Sequence, residues 1–140
     1  MFAQGDDGTA LELAVVEAAI AHNAERFHVA AVVYDRWSFE RSAQDLEDRG
    51  LLMIEMPMSP ERMTVTSQDL YDAILAQRIA HAGDPVLNVH VAAGGVKPHE
   101  RGWRLVKGKS RRPIDALIAM ALAFSQVDQS HESQAWLEVY

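Results

Sequence analysis

The chain has 140 residues, 49% of them hydrophobic and 24% charged, the composition of one ordinary soluble domain long enough to bury a core. Its net charge of −7 argues against a generic nucleic-acid coat, and the absence of cysteine excludes disulfides, thiolate metal sites and cysteine nucleophiles. No basic region leads into an apolar run at the N-terminus, and no segment approaches the ~18 uninterrupted apolar residues of a membrane span, so a cytoplasmic protein is the expectation.

In chain order, Leu11, Leu13, Val15, Val16, Ala19 and Ile20 recur at helical spacing between Thr9 and Phe27, with Asp6, Asp7 and Thr9 as start signals. Val29 to Tyr34 reads as a strand whose unbroken apolar character predicts burial on both faces. Ser38 is expected to cap a helix that runs through Leu46 to Gly50, and Leu51 to Met56 to form a second strand. Strand, helix and strand in this order predict a βαβ unit with a parallel pair. The ligand side of such a unit is the carboxyl edge of its strands, which places Asp35 at a functional edge.

Pro57 and Pro60 mark the stretch from Met56 to Pro60 as a loop, with a helix expected from Ser67 through Gln77. His81 to Pro85 reads as a turn. Val86 to Ala93 is ambiguous between helix and strand, ended by Gly94-Gly95. Trp103, Leu105 and Val106 suit a short strand, Ile114 to Phe124 a helix, and the polar residues from Val127 onward a tail. The organisation expected is therefore one α/β domain over residues 1–126 and a C-terminal tail over 127–140.

Charge is segregated. The segment Lys97–Arg112 carries seven Lys or Arg against Glu100 alone, +6 locally, which leaves −13 on the rest of the chain. Such a strip can meet a phosphate backbone, or can simply keep a loop in water. It leads into Asp115 at the start of the apolar helix. A carboxylate there is favoured by the helix dipole, so Asp115 reads either as a helix-start residue or as a partner of Asp35.

Two carboxylates brought to one sheet edge can hold magnesium or manganese, because hard cations take oxygen ligands and share them with substrate phosphate. Paired metals of this kind support phosphodiester cleavage, and neighbouring lysine or arginine offsets charge at the reacting phosphate. Other chemistries fare worse. His81, His90 and His99 are nine residues apart, on no common helix face, which opposes a zinc site. Lys109-Ser110 lacks the upstream glycines of a phosphate-binding loop, and no serine sits in a nucleophile elbow. Met53, Met56, Met58 and Met63 read as core and loop filler.

Taken together, Val33-Tyr-Asp-Arg-Trp37, Leu46-Glu-Asp-Arg-Gly50, Met58-Ser-Pro60, Arg78-Ile-Ala-His-Ala-Gly-Asp-Pro-Val-Leu87 and Lys107 to Met120 resemble, in family order, the C-terminal nuclease domain of tailed-phage terminase large subunits. The resemblance implies an α/β, ribonuclease H-like fold with helices packed on a mostly parallel sheet. It also implies two-metal cleavage of concatemeric phage DNA during packaging, with Mg2+ or Mn2+ as the cofactor. Asp35 matches the acid after the central strand and Asp115 the acid at the start of the last helix. Lys109 lies where the family carries lysine before that acid, and Lys107 is an equally defensible match. His81 and Pro85 match a turn that reads as structural. Family members carry a further catalytic aspartate on an earlier strand, and an ATPase motor before that. The fold is thus expected to be partial, lacking its first strands, and the loss of that ligand to lower metal affinity and rate heavily in the chain alone.

The partners implied are double-stranded phage DNA, the terminase small subunit and the portal, in the cytoplasm of a bacterial host, with no membrane. DNA contacts fall to Lys97, Arg104, Lys107, Lys109, Arg111 and Arg112. A competing expectation is a non-catalytic fragment that binds DNA or a partner chain through this basic segment and an open sheet edge. A third is a remnant without function.

Overall fold

The computed structural model describes the backbone of residues 12–37 and 39–138, and side chains as far as Val127. The start signals Asp6, Asp7 and Thr9 and the expected cap Ser38 lie outside the described residues. The chain forms two compact units, residues 1–57 and 58–140, each described by itself.

The first unit is the βαβ expected from sequence. Helix α1 spans Leu13–Arg26, strand β1 Val32–Tyr34, helix α2 Glu40–Asp48 and strand β2 Met53–Glu55. Strands β1 and β2 pair in parallel, Val32 against Met53 and Tyr34 against Glu55. Both are shorter than the apolar runs suggested, and β1 is half-buried along its length rather than covered on both faces. The reason is its place in a two-stranded sheet. Ala43, Leu46 and Met53 form the core, with Ile20, Val32, Tyr34, Phe39 and Leu51 packed around them. Helix α1 is held to α2 by the Ser42 hydroxyl, which donates to Glu17 Oε1 at 2.6 Å. Gly50, at φ +90°, is the left-handed residue that ends the crossover helix, as its position in the sequence predicts.

The second unit contains helix α3 (Pro60–Leu75), helix α4 (Pro85–Ala93), strand β3 (Gly94–His99), strand β4 (Gly102–Lys107) and helix α5 (Asp115–Glu138). Helix α3 begins at Pro60 rather than Ser67. Ser59 Oγ accepts from the Arg62 N–H at 3.3 Å, and Pro60 occupies a first-turn position that needs no N–H, so this proline opens a helix instead of breaking one. The ambiguous stretch after Pro85 is helical, capped by Asp84 Oδ1 accepting from the Leu87 N–H at 2.9 Å.

Gly94-Gly95, read as the end of an element, instead open β3, which pairs antiparallel with β4. Among the described residues the strands form one parallel pair in the first unit and one antiparallel hairpin in the second. Helix α5 continues to Glu138, past the end expected at Phe124 and through the stretch read as a tail. No glycine or proline interrupts residues 114–138, and Gln129, Glu132 and Gln134 are good helix formers, so polarity alone does not stop the helix. The core gathers Leu70, Ala93, Ile114, Leu117 and Ala121, with Leu105 and Phe124 among the half-buried residues against it.

Candidate functional site

Asp35 is the residue after β1. It is half-buried, just beyond the last ladder bond, in which the Met56 N–H donates to the Tyr34 carbonyl at 2.8 Å. The strand end is acidic. Partial burial, and then the carboxylates of Glu55, Glu47 and Glu40, push the Tyr34 hydroxyl above its ordinary range, with Arg36 opposing them. Arg36 is engaged on the surface by Glu40 at 3.3 Å. Trp37, two residues beyond Asp35, stands 82% exposed.

Asp115 is the first residue of α5 and is exposed. Its placement follows from the sequence around it. Ile114, 4% exposed, locks the helix start into the core, and its carbonyl accepts the first helical bond from the Ile118 N–H at 3.0 Å. The next position then faces outward. Neither Asp35 nor Asp115 has a side-chain hydrogen bond or ion pair among the described residues. The two acids stand in different units, Asp35 in the first and Asp115 in the second.

The cations divide by position. Lys97 and Arg104 are directly opposite each other on β3 and β4, and so share one face of the hairpin. Lys107 ends β4 opposite Gly94 and is exposed. Lys109, Arg111 and Arg112 are exposed in the turn between β4 and α5, where the Arg111 N–H donates to the Gly108 carbonyl at 3.0 Å. Arg111 there adopts φ +55°. None of these cations has an ion pair among the described residues. Like charges placed opposite on a hairpin with no acid between them are unfavourable unless something anionic is met.

The sequence alone offers His90 only as a zinc candidate. It lies in the last turn of α4, and its Nδ1 accepts the Ala116 N–H at 2.9 Å, immediately beside Asp115. His81 Nδ1 accepts from the Gly83 N–H at 3.1 Å, a local turn contact in keeping with a structural role. Among the described residues, no three His, Asp or Glu side chains gather into one metal-binding group. The donors themselves are suitable: Asp35 and Asp115 offer uncommitted carboxylate oxygens, the ligand type a hard divalent cation takes.

An uncommitted acid thus stands at a strand end and another at a helix start, with unpaired cations just before the second. Over residues 1–132 the chain matches the family described as terminase large subunit, endonuclease domain. The chain belongs to this family. The crystal structure of the HK97 bacteriophage large terminase resembles this endonuclease domain with a TM-score of 0.69 at 24% identity, over 84% of this chain and 25% of that one. That likeness establishes a shared α/β fold, and the domain spans a quarter of the length of the terminase it matches. No curated protein matches its sequence. No helix among its described residues is long and apolar enough to cross a membrane.

Proposed function

We propose that this terminase domain is a metal-dependent DNA endonuclease of ribonuclease H-like kind that cuts concatemeric phage DNA during packaging. The family match over residues 1–132 carries the reading. Asp35 and Asp115, whose oxygens no described residue occupies, would hold Mg2+ or Mn2+. Divalent cations bound there would activate water and stabilise the leaving oxygen of the phosphodiester.

Lys109, or Lys107, offsets the negative charge that builds on the phosphate, and both are exposed and unpaired for it. Lys97, Arg104, Arg111 and Arg112 hold the flanking backbone. Phage DNA, the terminase small subunit and the portal are the partners this reading carries, in the host cytoplasm.

The test is nicking of supercoiled plasmid. Cleavage should need Mg2+ or Mn2+ and vanish in Asp35→Asn and Asp115→Asn. Metal-independent cleavage, or full cleavage by both variants, rejects the reading. One observation favours a second reading, a DNA-binding module without catalysis: the unpaired Lys97–Arg104 pair needs an anion, but no metal, to relieve it. Its mark is salt-sensitive binding that survives both aspartate substitutions and EDTA, together with no nicking by the wild type.

A further inference from the structure

The start of α5 has an unusual cap. At a helix N-terminus the first N–H groups lack partners within the helix, and a short polar side chain at the N-cap commonly accepts one of them. Here the N-cap position is Ile114, whose carbonyl accepts the first helical bond and whose side chain is buried in the core. It offers no acceptor. Asp115 is the nearest carboxylate, and acids in a first turn often spend their oxygens on these N–H groups. In this chain Asp115 does not.

The acceptor comes from another element. His90, half-buried in the last turn of α4, presents Nδ1 to the Ala116 N–H at 2.9 Å, across 26 residues of sequence. The contact is well supported on both sides. Ala93, one turn on in α4, shares the core with Ile114 and Leu117, and a Cβ on Gly94 would stand 2.9 Å from Leu117 Cδ2, so the two helices meet tightly at this point.

We propose that His90 is a positioning residue for Asp115: by accepting the Ala116 N–H it fixes the first turn of α5 and leaves the Asp115 carboxylate unclaimed by its own helix and free to bind a cation. This rests on the reading of Asp115 as a metal ligand. The geometry assigns the task to Nδ1, since that atom must be unprotonated to accept, and Nε2 takes no part. Asparagine places Oδ1 close to where histidine places Nδ1, whereas glutamine reaches instead toward the Nε2 position.

The experiment uses the full 140-residue chain with His90→Asn, His90→Gln, His90→Ala and Asp115→Asn. Two quantities are measured: hydrogen exchange of the Ala116 amide by NMR without metal, and Mn2+ affinity by calorimetry. His90→Ala and His90→Gln should speed Ala116 exchange and weaken Mn2+ binding, each by roughly five-fold, the size a lost helix cap carries. His90→Asn should restore both toward wild type. If Asp115→Asn abolishes Mn2+ binding while His90→Ala binds as wild type does, the positioning role alone is overturned. If Asp115→Asn binds Mn2+ unchanged, the metal reading falls and this inference with it. Equal loss in His90→Asn and His90→Ala also overturns it, because the Nδ1 acceptor would then not be what matters.

Discussion

Asp35 and Asp115 contribute no bond to the folded state among the described residues, so their value lies in what they are free to bind. Asp35→Asn is therefore expected to change stability by no more than about 0.5 kcal/mol, the usual range for substitutions away from packed or bonded features, and Asp115→Asn by no more than about 1 kcal/mol, the loss of a first-turn charge from the helix dipole. Chemical denaturation checks this, and a large loss would show that these carboxylates are structural. The Glu61 carboxylate is of the opposite kind. Its own backbone N–H, then the Ser59 hydroxyl, hold it below the ordinary carboxylate range, helped by His99 and Arg101 and opposed by partial burial.

A carboxylate with a lowered folded value adds stability above its unfolded value and loses it as pH falls through the folded one. Ser59→Ala should thus move the Glu61 titration upward in an NMR pH series and cost about 1 kcal/mol through the lost N-cap. An unmoved titration would reject the Ser59 contribution. At this scale both candidate acids were legible, because an acid after an apolar strand and an acid opening an apolar helix are visible in order. His90 was not legible: its partner is a backbone N–H 26 residues away, and no side-chain pattern encodes such a contact.

Among the elements, β3 is the one least legible in the sequence, whereas β4 falls where Trp103, Leu105 and Val106 suggest a strand. Gly94, Gly95 and Pro98 look like breakers, yet the strand forms because β4 supplies its ladder, and β4 in turn rests on α3 as its floor. The floor is specific. Ser67, 1% exposed, donates to the Met63 carbonyl and accepts the Leu105 N–H at 3.0 Å, while Tyr71 meets Trp103 edge-on with centroids 5.5 Å apart. Ser67→Ala should leave the Leu105 N–H without its partner and cost about 1–3 kcal/mol, read by denaturant midpoint.

The exit from β4 is as constrained. The Gly108 N–H donates to the Ala93 carbonyl at 2.8 Å, and a Cβ on Gly108 would sit 2.8 Å from that same oxygen. Because the obstacle is backbone and cannot swing away, Gly108→Ala should cost about 1–3 kcal/mol. A neutral result would mean that the turn carrying Lys109 to Arg112 has room to shift. The start of α3 is hidden for a related reason: Pro60 disrupts a helix interior but suits a first turn, and only the Ser59 cap tells the two apart.

For the molecule as a whole, the segregation of charge makes a prediction that neither residue nor element alone decides. A chain of net −7 should repel DNA, and only the +6 segment between Lys97 and Arg112 can oppose that repulsion. Each cation that neutralises a phosphate releases counterions, so the slope of log K against log salt changes by about 0.9 per contact on duplex DNA. Arg111 and Arg112 are exposed and without ion pairs among the described residues. Replacing both with glutamine should flatten the slope by up to about 2 and weaken binding alike on all sequences. The double change Lys97→Gln and Arg104→Gln should do the same and, by removing like charges from opposite positions on the hairpin, should leave stability equal or slightly higher.

Arg36, already engaged by Glu40, provides the control: Arg36→Gln should leave the salt slope unchanged. Fluorescence anisotropy with a labelled duplex across a salt series measures all three. If Arg36→Gln flattens the slope as much as the strip substitutions do, the overall charge of the chain governs DNA binding, and the basic segment holds no special place in it.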